Sequence, residues 1–321
     1  MDISIVIPLY NEEESLPHLM EWISKVMDVH GTTYEVILVD DGSYDSSWQT
    51  IEGFIGKYPM VRGIKFRRNY GKSAALQVGF AAAKGEVVIT MDADMQDSPE
   101  EIPELYRMIK NDGFDLVSGW KKKRRDPFFS KRLPSKMYNF TVRCITGIKL
   151  HDMNCGLKAY HRNVVKSIEV YGEMHRYIPV LARQAGFKRI GEKVVQHQER
   201  KFGSSKFGWE RYINGFLDLM SVTFVSRFGK RPMHFFGTLG SLMFLSGGLI
   251  AIWLIASKIW AQAHHLKYRP VTDQPLFYIA LVIAIIGVQF FMAGFIGELV
   301  SRSSADRNQY LIEKDTAEKL Q

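Results

Sequence analysis

Two aspartates one residue apart, Asp92 and Asp94, follow the apolar run Val87-Val88-Ile89-Thr90-Met91. The run is short, β-rich and uncharged, as expected of a strand buried on both faces of a parallel sheet. Ligands of open α/β sheets sit beyond the carboxyl ends of the strands, which is where this pair stands. Carboxylate oxygens there suit a hard divalent cation, and such a cation usually handles phosphate. An acidic turn closing a strand is the plainer reading, since Asp is a turn residue in its own right. Other strand ends must decide between the two.

The surrounding elements supply them. Ile3 to Pro8, Tyr34 to Val39 and Val61 to Phe66 read as strands, followed by Val87 to Met91 and Asp115 to Gly119, with Ile190 to Val195 on a far edge. Helices are expected between them. Glu12-Glu13-Glu14 favours a helix start through the dipole, and Leu16, Leu19, Met20, Ile23, Val26 and Met27 then keep helical spacing. Further helices are read over 46–56, 73–83, 99–111, 159–170 and 178–185. Strand and helix alternate, so the fold class is α/β, a doubly wound, mostly parallel sheet. In such a sheet Pro8 to Glu12, Asp40-Asp41 and Asp92-x-Asp94 share one edge. That many carboxylates left bare would repel one another. A metal and a sugar nucleotide in a common cleft would relieve the repulsion, which moves Asp94 from turn residue to ligand.

Composition narrows the class. The 321 residues suffice for one sizeable α/β domain and something smaller. A formal charge of +8 suits phosphorylated substrates, anionic lipid or nucleic acid equally. Cys144 and Cys155 are too few for a disulfide framework and too far apart for a zinc knuckle, so both are read as free thiols. No signal peptide is expected, because Met1-Asp2-Ile3 runs straight into a strand. The segments 235–259 and 276–300 are nearly free of charge, and each is long enough as a helix to span a hydrocarbon core of about 30 Å. They read as a transmembrane hairpin. Arg227, Lys230, Arg231, Arg302 and Arg307 flank it, against Lys258, Lys267 and Arg269 in and beside the intervening loop. That bias keeps both ends cytoplasmic. The expected organisation is a cytoplasmic catalytic domain over 1–208, an amphipathic interface helix over 209–230, two spans within 231–302 and a polar tail over 303–321.

Several motifs fail. Gly71-Lys72-Ser73 is not a P-loop, because Phe66 stands where that motif needs glycine. No G-x-G-x-x-G follows the first strand, which argues against a dinucleotide oxidoreductase. His151-Asp152 reads equally as a substrate-orienting pair or a turn. His264-His265 reads as merely polar. The basic run Lys121 to Arg125, with Lys131, Arg132 and Lys136, is interleaved with Phe128, Phe129, Leu133 and Met137. It reads as a solvated face or as an interfacial segment.

In order along the chain stand Pro8-Leu9-Tyr10-Asn11-Glu12, Val39-Asp40-Asp41-Gly42-Ser43-x-Asp45, Asn69-Tyr70-Gly71-Lys72, Asp92-Ala93-Asp94-x-Gln96 and Gly203-x-Ser205-Lys206. Together they resemble the inverting, GT-A-type glycosyltransferases of the family that includes dolichyl-phosphate mannose synthase. With the paired spans, the chain is most similar to the membrane-anchored bacterial polyprenyl-phosphate branch. Each motif alone is weak; five in order, over essentially the whole chain, are specific. The resemblance implies a GT-A fold and roles by position. Pro8, Tyr10, Glu12 and one or both of Asp40 and Asp41 would hold the nucleoside, with Lys72 in the same nucleotide-binding set. Asp92, Asp94 and Gln96 would be the catalytic centre, holding Mg²⁺ or Mn²⁺ and the diphosphate. Lys121 and Arg132 would grip the lipid phosphate, with Arg200, Ser205 and Lys206 on a loop closing over both substrates.

The expected reaction is transfer of a sugar, with inversion, from a nucleotide sugar (UDP-linked) to polyprenyl phosphate at the cytoplasmic membrane. Nucleic acid is not an expected partner. The resemblance allows a homo-oligomer, tetramers included. The alternative is a transferase extending a polysaccharide or glycolipid at a hydroxyl acceptor, although the Gln-x-x-Arg-Trp signature of processive synthases is missing. A non-enzymatic membrane anchor would have no use for the acidic strand ends.

Overall fold

The computed structural model describes residues 1–122, 143, 147–172, 174–196, 198 and 232–303. The interface helix expected over 209–230 lies outside them, as do Arg132, Arg200, Ser205, Lys206, Cys144 and the tail beyond residue 303. The chain divides into two compact units, Met1–Thr223 and Phe224–Gln321.

In the first unit, strands β1 (Ile3–Leu9), β2 (Tyr34–Asp40), β3 (Val61–Lys65), β4 (Val87–Thr90), β5 (Leu116–Trp120), β6 (Lys158–His161) and β7 (Ile190–Val194) form one sheet. Their order is β3-β2-β1-β4-β6-β5-β7. All run parallel except β6, which pairs antiparallel with both β4 and β5. The helices are α1 (Leu16–His30), α2 (Ser47–Ile55), α3 (Lys72–Ala82), α4 (Ile102–Lys110), α5 (Arg162–Ser167) and α6 (Ile178–Gln184).

Period-two side-chain alternation builds two cores from the same strands. Ile3, Ile5 and Ile7 of β1, with Val87 and Ile89 of β4, pack on Leu16, Leu19 and Ile23 of α1, Ile51 of α2 and Leu105 of α4. Val6, Ile37 and Val88 point the other way, onto Ala75, Leu76 and Phe80 of α3, Val164 of α5 and Ala182 of α6. Ile3, Ile5, Val6 and Ile7 are all fully buried, each worth roughly 1.5–3 kcal/mol over its exposed state. The uniformly apolar strands therefore belong to a three-layer α/β sandwich, the expected class.

Three local expectations change. Residues 159–170 were expected to be helical throughout. They open with strand β6, and the helix shortens to α5. Ala159 faces one core while Tyr160 faces the other, where its ring meets Phe80 edge-on at 5.5 Å. So short an apolar stretch does not declare its period, and pairing on both sides decided it. Pro8 was expected to close β1 but sits inside it, opposite Val39. The β4 pairing stops at Val6–Thr90, so no ladder donor is lost on that side. Glu12, Glu13 and Glu14 precede α1 rather than fill its first turn; the Glu12 carbonyl accepts from the Ser15 and Leu16 N–H groups.

In the second unit, α7 (Pro232–Ala263) and α8 (Pro275–Ser303) enclose both expected spans. At 32 and 29 residues each exceeds a hydrocarbon core of about 30 Å, with a rise of about 1.5 Å per residue. Both are long and apolar enough to cross a membrane. Gly240, Gly247, Leu254 and Ala261 of α7 are buried. They recur every seven residues, the spacing of a left-handed helix pair. A Cβ at Gly240 would stand 2.5 Å from the Gly287 carbonyl oxygen, and one at Gly287 would stand 2.5 Å from the Phe244 nitrogen. Backbone therefore packs on backbone, a contact that only small residues allow.

Candidate active site

The strand order reverses beside β1: β2 and β3 lie on one side, β4 and the rest on the other. A crevice opens at the carboxyl ends at such a point. Four ends meet around it: Tyr10 to Glu12 after β1, Asp40-Asp41 from β2, Asp92 to Gln96 after β4, and Lys121 after β5.

The first two ends are laced together. The Asn11 N–H donates to Ser43 Oγ at 2.9 Å, and the Tyr44 N–H donates to Asn11 Oδ1 at 2.9 Å. The Glu12 N–H donates to Ser47 Oγ, also at 2.9 Å. Tyr10 meets Tyr44 edge-on at 6.1 Å. Asn11 holds a left-handed φ of 54°, which asparagine adopts more readily than other residues that carry a side chain. Asp41 accepts the Tyr70 and Gly71 N–H groups at 2.7 and 2.9 Å, so it pins the loop that leads to Lys72. Burial raises its pKa against the lowering effect of those two amides. Asp40 is fully buried; its Oδ1 accepts from the Ser43 N–H, and its Oδ2 has no partner among the described residues. A buried carboxylate oxygen without a partner is rare in a folded chain and marks this strand end.

The third end holds most of the charge. Lys72 Nζ, at the first turn of α3, lies 2.5 Å from Asp92 Oδ1. Burial pushes the Asp92 carboxyl up, but Lys72, Lys121 and Lys158 override it and hold it down at about 2. The polypeptide approaches this carboxylate from behind at Gly156, where a Cβ would overlap both Asp92 oxygens. The Thr90 hydroxyl fixes that approach by donating to the Gly156 carbonyl at 2.8 Å. Asp94 Oδ1 accepts from the Gln96 N–H at 3.2 Å, around a left-handed Met95 with φ 58°. A left-handed methionine thus stands between the two side chains expected to work together.

Lys121 is turned inward. Its ammonium lies 2.8 Å from Asp97, with 11% of the side chain exposed and none of its partner's. Burial favours the neutral lysine, but Asp97 overrides it and keeps the ammonium charged. In this arrangement Lys121 ties β5 to the loop after β4 rather than standing open for a lipid phosphate. His151 stacks on Trp120 at 4.2 Å and pairs with Glu192 at 2.7 Å, a contact that accounts for it structurally. His264 bonds the Trp260 carbonyl within its own helix end.

The sequence reading passed over Gly156, Lys158, Asp97, Ser73 and His175. Asp97, three residues beyond Asp94, was within reach of the motif. Ser73 stands only in the rejected Gly71-Lys72-Ser73 motif, and Gly156, Lys158 and His175 carry no local signal. Lys158, buried on β6 opposite Thr90, donates to the Cys155 carbonyl, and desolvation lowers its pKa.

Among the described residues no three His, Cys, Asp or Glu side chains form a metal cage. A hard cation that is also bound by substrate phosphates needs only one or two carboxylates from the protein. Asp94 and the Gln96 amide offer oxygens of that kind, while Asp92 is engaged by Lys72. The donor set fits Mg²⁺ or Mn²⁺ on that footing.

Residues 4–169 match the glycosyl transferase family 2 domain. Dodecaprenyl-phosphate galacturonate synthase of Rhizobium johnstonii is 35% identical over 305 residues, covering 94% of this chain and 88% of that protein. Undecaprenyl-phosphate 4-deoxy-4-formamido-L-arabinose transferase of Pectobacterium carotovorum is 37% identical over 317 residues, covering 98% and 93%. Among solved structures, mannosyl-3-phosphoglycerate synthase of Rubrobacter xylanophilus superposes with a TM-score of 0.58 at 13% identity, over 71% of this chain and 75% of that one. Glucosyl-3-phosphoglycerate synthase of Mycobacterium tuberculosis, in complex with Mn²⁺ and UDP-glucose, gives 0.52 at 20% identity, over 70% and 78%. At those identities the two structures speak for the fold alone.

Proposed function

The chain belongs to glycosyl transferase family 2, and from that premise we propose that it moves a sugar from a UDP-sugar to a polyprenyl phosphate at the membrane, inverting the anomeric centre. The observation that carries this reading is the meeting of the orphaned Asp40 oxygen, the Asp92–Lys72 pair and Asp94 at the β1/β4 switch point, in a chain that also bears two membrane-length apolar helices. A hydroxyl acceptor in water would need no such hairpin.

In this reading Tyr10, Glu12 and Asp40 hold the nucleoside. Asp41 acts through the loop that it pins, setting Lys72. Lys72 lies where it can meet the donor diphosphate while Asp92 holds it in place. Mg²⁺ or Mn²⁺ held by Asp94 and Gln96, beside Asp92, would supply Lewis-acid stabilisation of the charge that gathers on the departing diphosphate. The acceptor phosphate oxygen attacks the anomeric carbon from the face opposite the nucleotide; the bond from that carbon to the diphosphate oxygen breaks, and UDP leaves. A phosphate monoester with a second pKa of about 6 is already ionised at neutral pH, so no strong general base is required. Lys121 supports the cleft through Asp97. Arg132, Arg200, Ser205 and Lys206 remain the candidates for the lipid phosphate. The hairpin keeps the enzyme in the cytoplasmic membrane, with the catalytic unit in the cytoplasm.

The test is a panel of UDP-glucose, UDP-galacturonate, UDP-4-deoxy-4-formamido-L-arabinose and GDP-mannose, radiolabelled in the sugar, with undecaprenyl phosphate and with or without Mn²⁺. Label from a UDP-sugar in chloroform-extractable lipid supports the reading. Label in polymer, or none in lipid from any UDP-sugar, overturns it.

A further inference from the structure

The turn Met174–Arg176 brings a histidine to the start of α3. The His175 N–H donates to Ser73 Oγ at 3.0 Å, and the same oxygen lies 3.1 Å from His175 Nδ1. Ser73 is the residue after Lys72 and is 1% exposed. Its one hydroxyl proton needs an acceptor, and Nδ1 is the acceptor within reach. With Ser73 as the donor of this pair, Nδ1 is assigned as the acceptor and the ring proton to Nε2.

The surroundings hold the ring in that state. Burial lowers the imidazole pKa well below its ordinary value, and Lys72, Arg176 and Lys158 lower it further against the opposing pull of Asp92. A neutral Nε2–H tautomer is thus built in beside the Lys72–Asp92 pair. Nε2 has no acceptor among the described residues, and it is not one of the sealed polar atoms that lack a partner. A donor so placed, not sealed and without an acceptor among the described residues, is available to a ligand.

We propose that His175 recognises the donor substrate: its Nε2–H donates a hydrogen bond to an oxygen of the bound nucleotide sugar, on the sugar or on its diphosphate. This rests on the reading of the cleft as a nucleotide-sugar site. Ser73 is the positioning residue, setting the tautomer while it anchors the first turn of α3.

The variants His175→Asn, His175→Gln and Ser73→Ala in the full-length enzyme test it, by calorimetric titration with UDP and with each UDP-sugar of the panel, alongside thermal unfolding. Asn keeps an acceptor near the Nδ1 position but removes the Nε2 donor. Gln returns an N–H near the Nε2 position. A neutral hydrogen bond is worth about three- to tenfold in affinity. His175→Asn is expected to lose that factor for the best-bound UDP-sugar without a change in Tm, and His175→Gln to regain part of it. Ser73→Ala should show a smaller loss of the same sign. A loss shared by UDP places the contact on the diphosphate; a loss confined to the UDP-sugar places it on the sugar. His175→Asn binding both ligands as the wild type does would overturn the proposal. So would equal losses in the Asn and Gln variants accompanied by a fall in Tm, the mark of a purely structural clamp. A wild-type enzyme that binds neither UDP nor any UDP-sugar removes the nucleotide-sugar reading itself, a result distinct from a silent variant.

Discussion

The sheet unit and the helical hairpin use the same residue types in opposite ways. In the sheet unit Ile5, Leu19 and Val36 are fully buried and the charges gather at the strand ends. In the hairpin Leu242, Leu249 and Ile252 are each more than 60% exposed, and Gly237, Gly240 and Gly247 lie inside. Glycine itself serves two purposes. Gly156 makes room for a carboxylate, whereas Gly240 and Gly287 make room for another backbone. Solvent explains the inversion. In water, apolar side chains must be hidden; in lipid they need not be, and close helix contact becomes the source of cohesion.

The strongest way to set the units apart is chemical. Asp94→Asn should cut transfer to lipid by at least about a thousandfold, equivalent to about 4 kcal/mol, while thermal unfolding of the protein stays unchanged. Near-normal turnover would remove Asp94 from the site.

Next comes the same truncation in the two environments. Ile5→Ala, at a fully buried position on β1, should cost about 2–5 kcal/mol of stability. Leu249→Ala, 65% exposed on α7, should cost no more than about 0.5 kcal/mol in detergent. Equal losses on thermal or denaturant unfolding would mean that the outer face of the hairpin is a packed core rather than a lipid-facing surface.

The two uses of glycine separate in the same manner. Gly156→Ala should lower turnover about a hundredfold, because a displaced Asp92 releases Lys72, and small displacements in a reacting site cost about that much. Gly287→Leu should instead lower stability by about 1–3 kcal/mol through overpacking, with UDP affinity intact. A drop in UDP affinity in the second variant would break the separation.

The smallest effect is a pH dependence confined to the sheet unit. His175 is harder to protonate folded than unfolded, because of burial and the neighbouring cations. Below the ordinary imidazole pKa of about 6.5 the unfolded chain takes up the proton that the folded chain refuses. Its contribution to stability is therefore complete above that pH and declines as acid is added. Tm should fall between about pH 7.5 and about pH 5.5, and His175→Asn should lessen the fall. An unaltered pH profile in that variant would show that another group is responsible.

The apolar runs, the acids at their ends and the two long uncharged segments could be read from the chain alone, because each is a local pattern a few residues in period. Those patterns were enough for an α/β sheet with its acidic ends on one edge, for the GT-A-type resemblance and for the hairpin. Tertiary structure alone decided how the charges are spent. Lys72 reaches Asp92 across 20 residues, and Ser73 meets His175 across 102. Gly156 takes its place behind Asp92 only because β6 turns antiparallel between β4 and β5. Lys121, one of a run of five cations in the sequence, became the inward partner of Asp97. Local period says which residues share a face. It cannot say which side chain from a distant element will neutralise a given charge, and that pairing depends on a sheet order that the chain order does not contain.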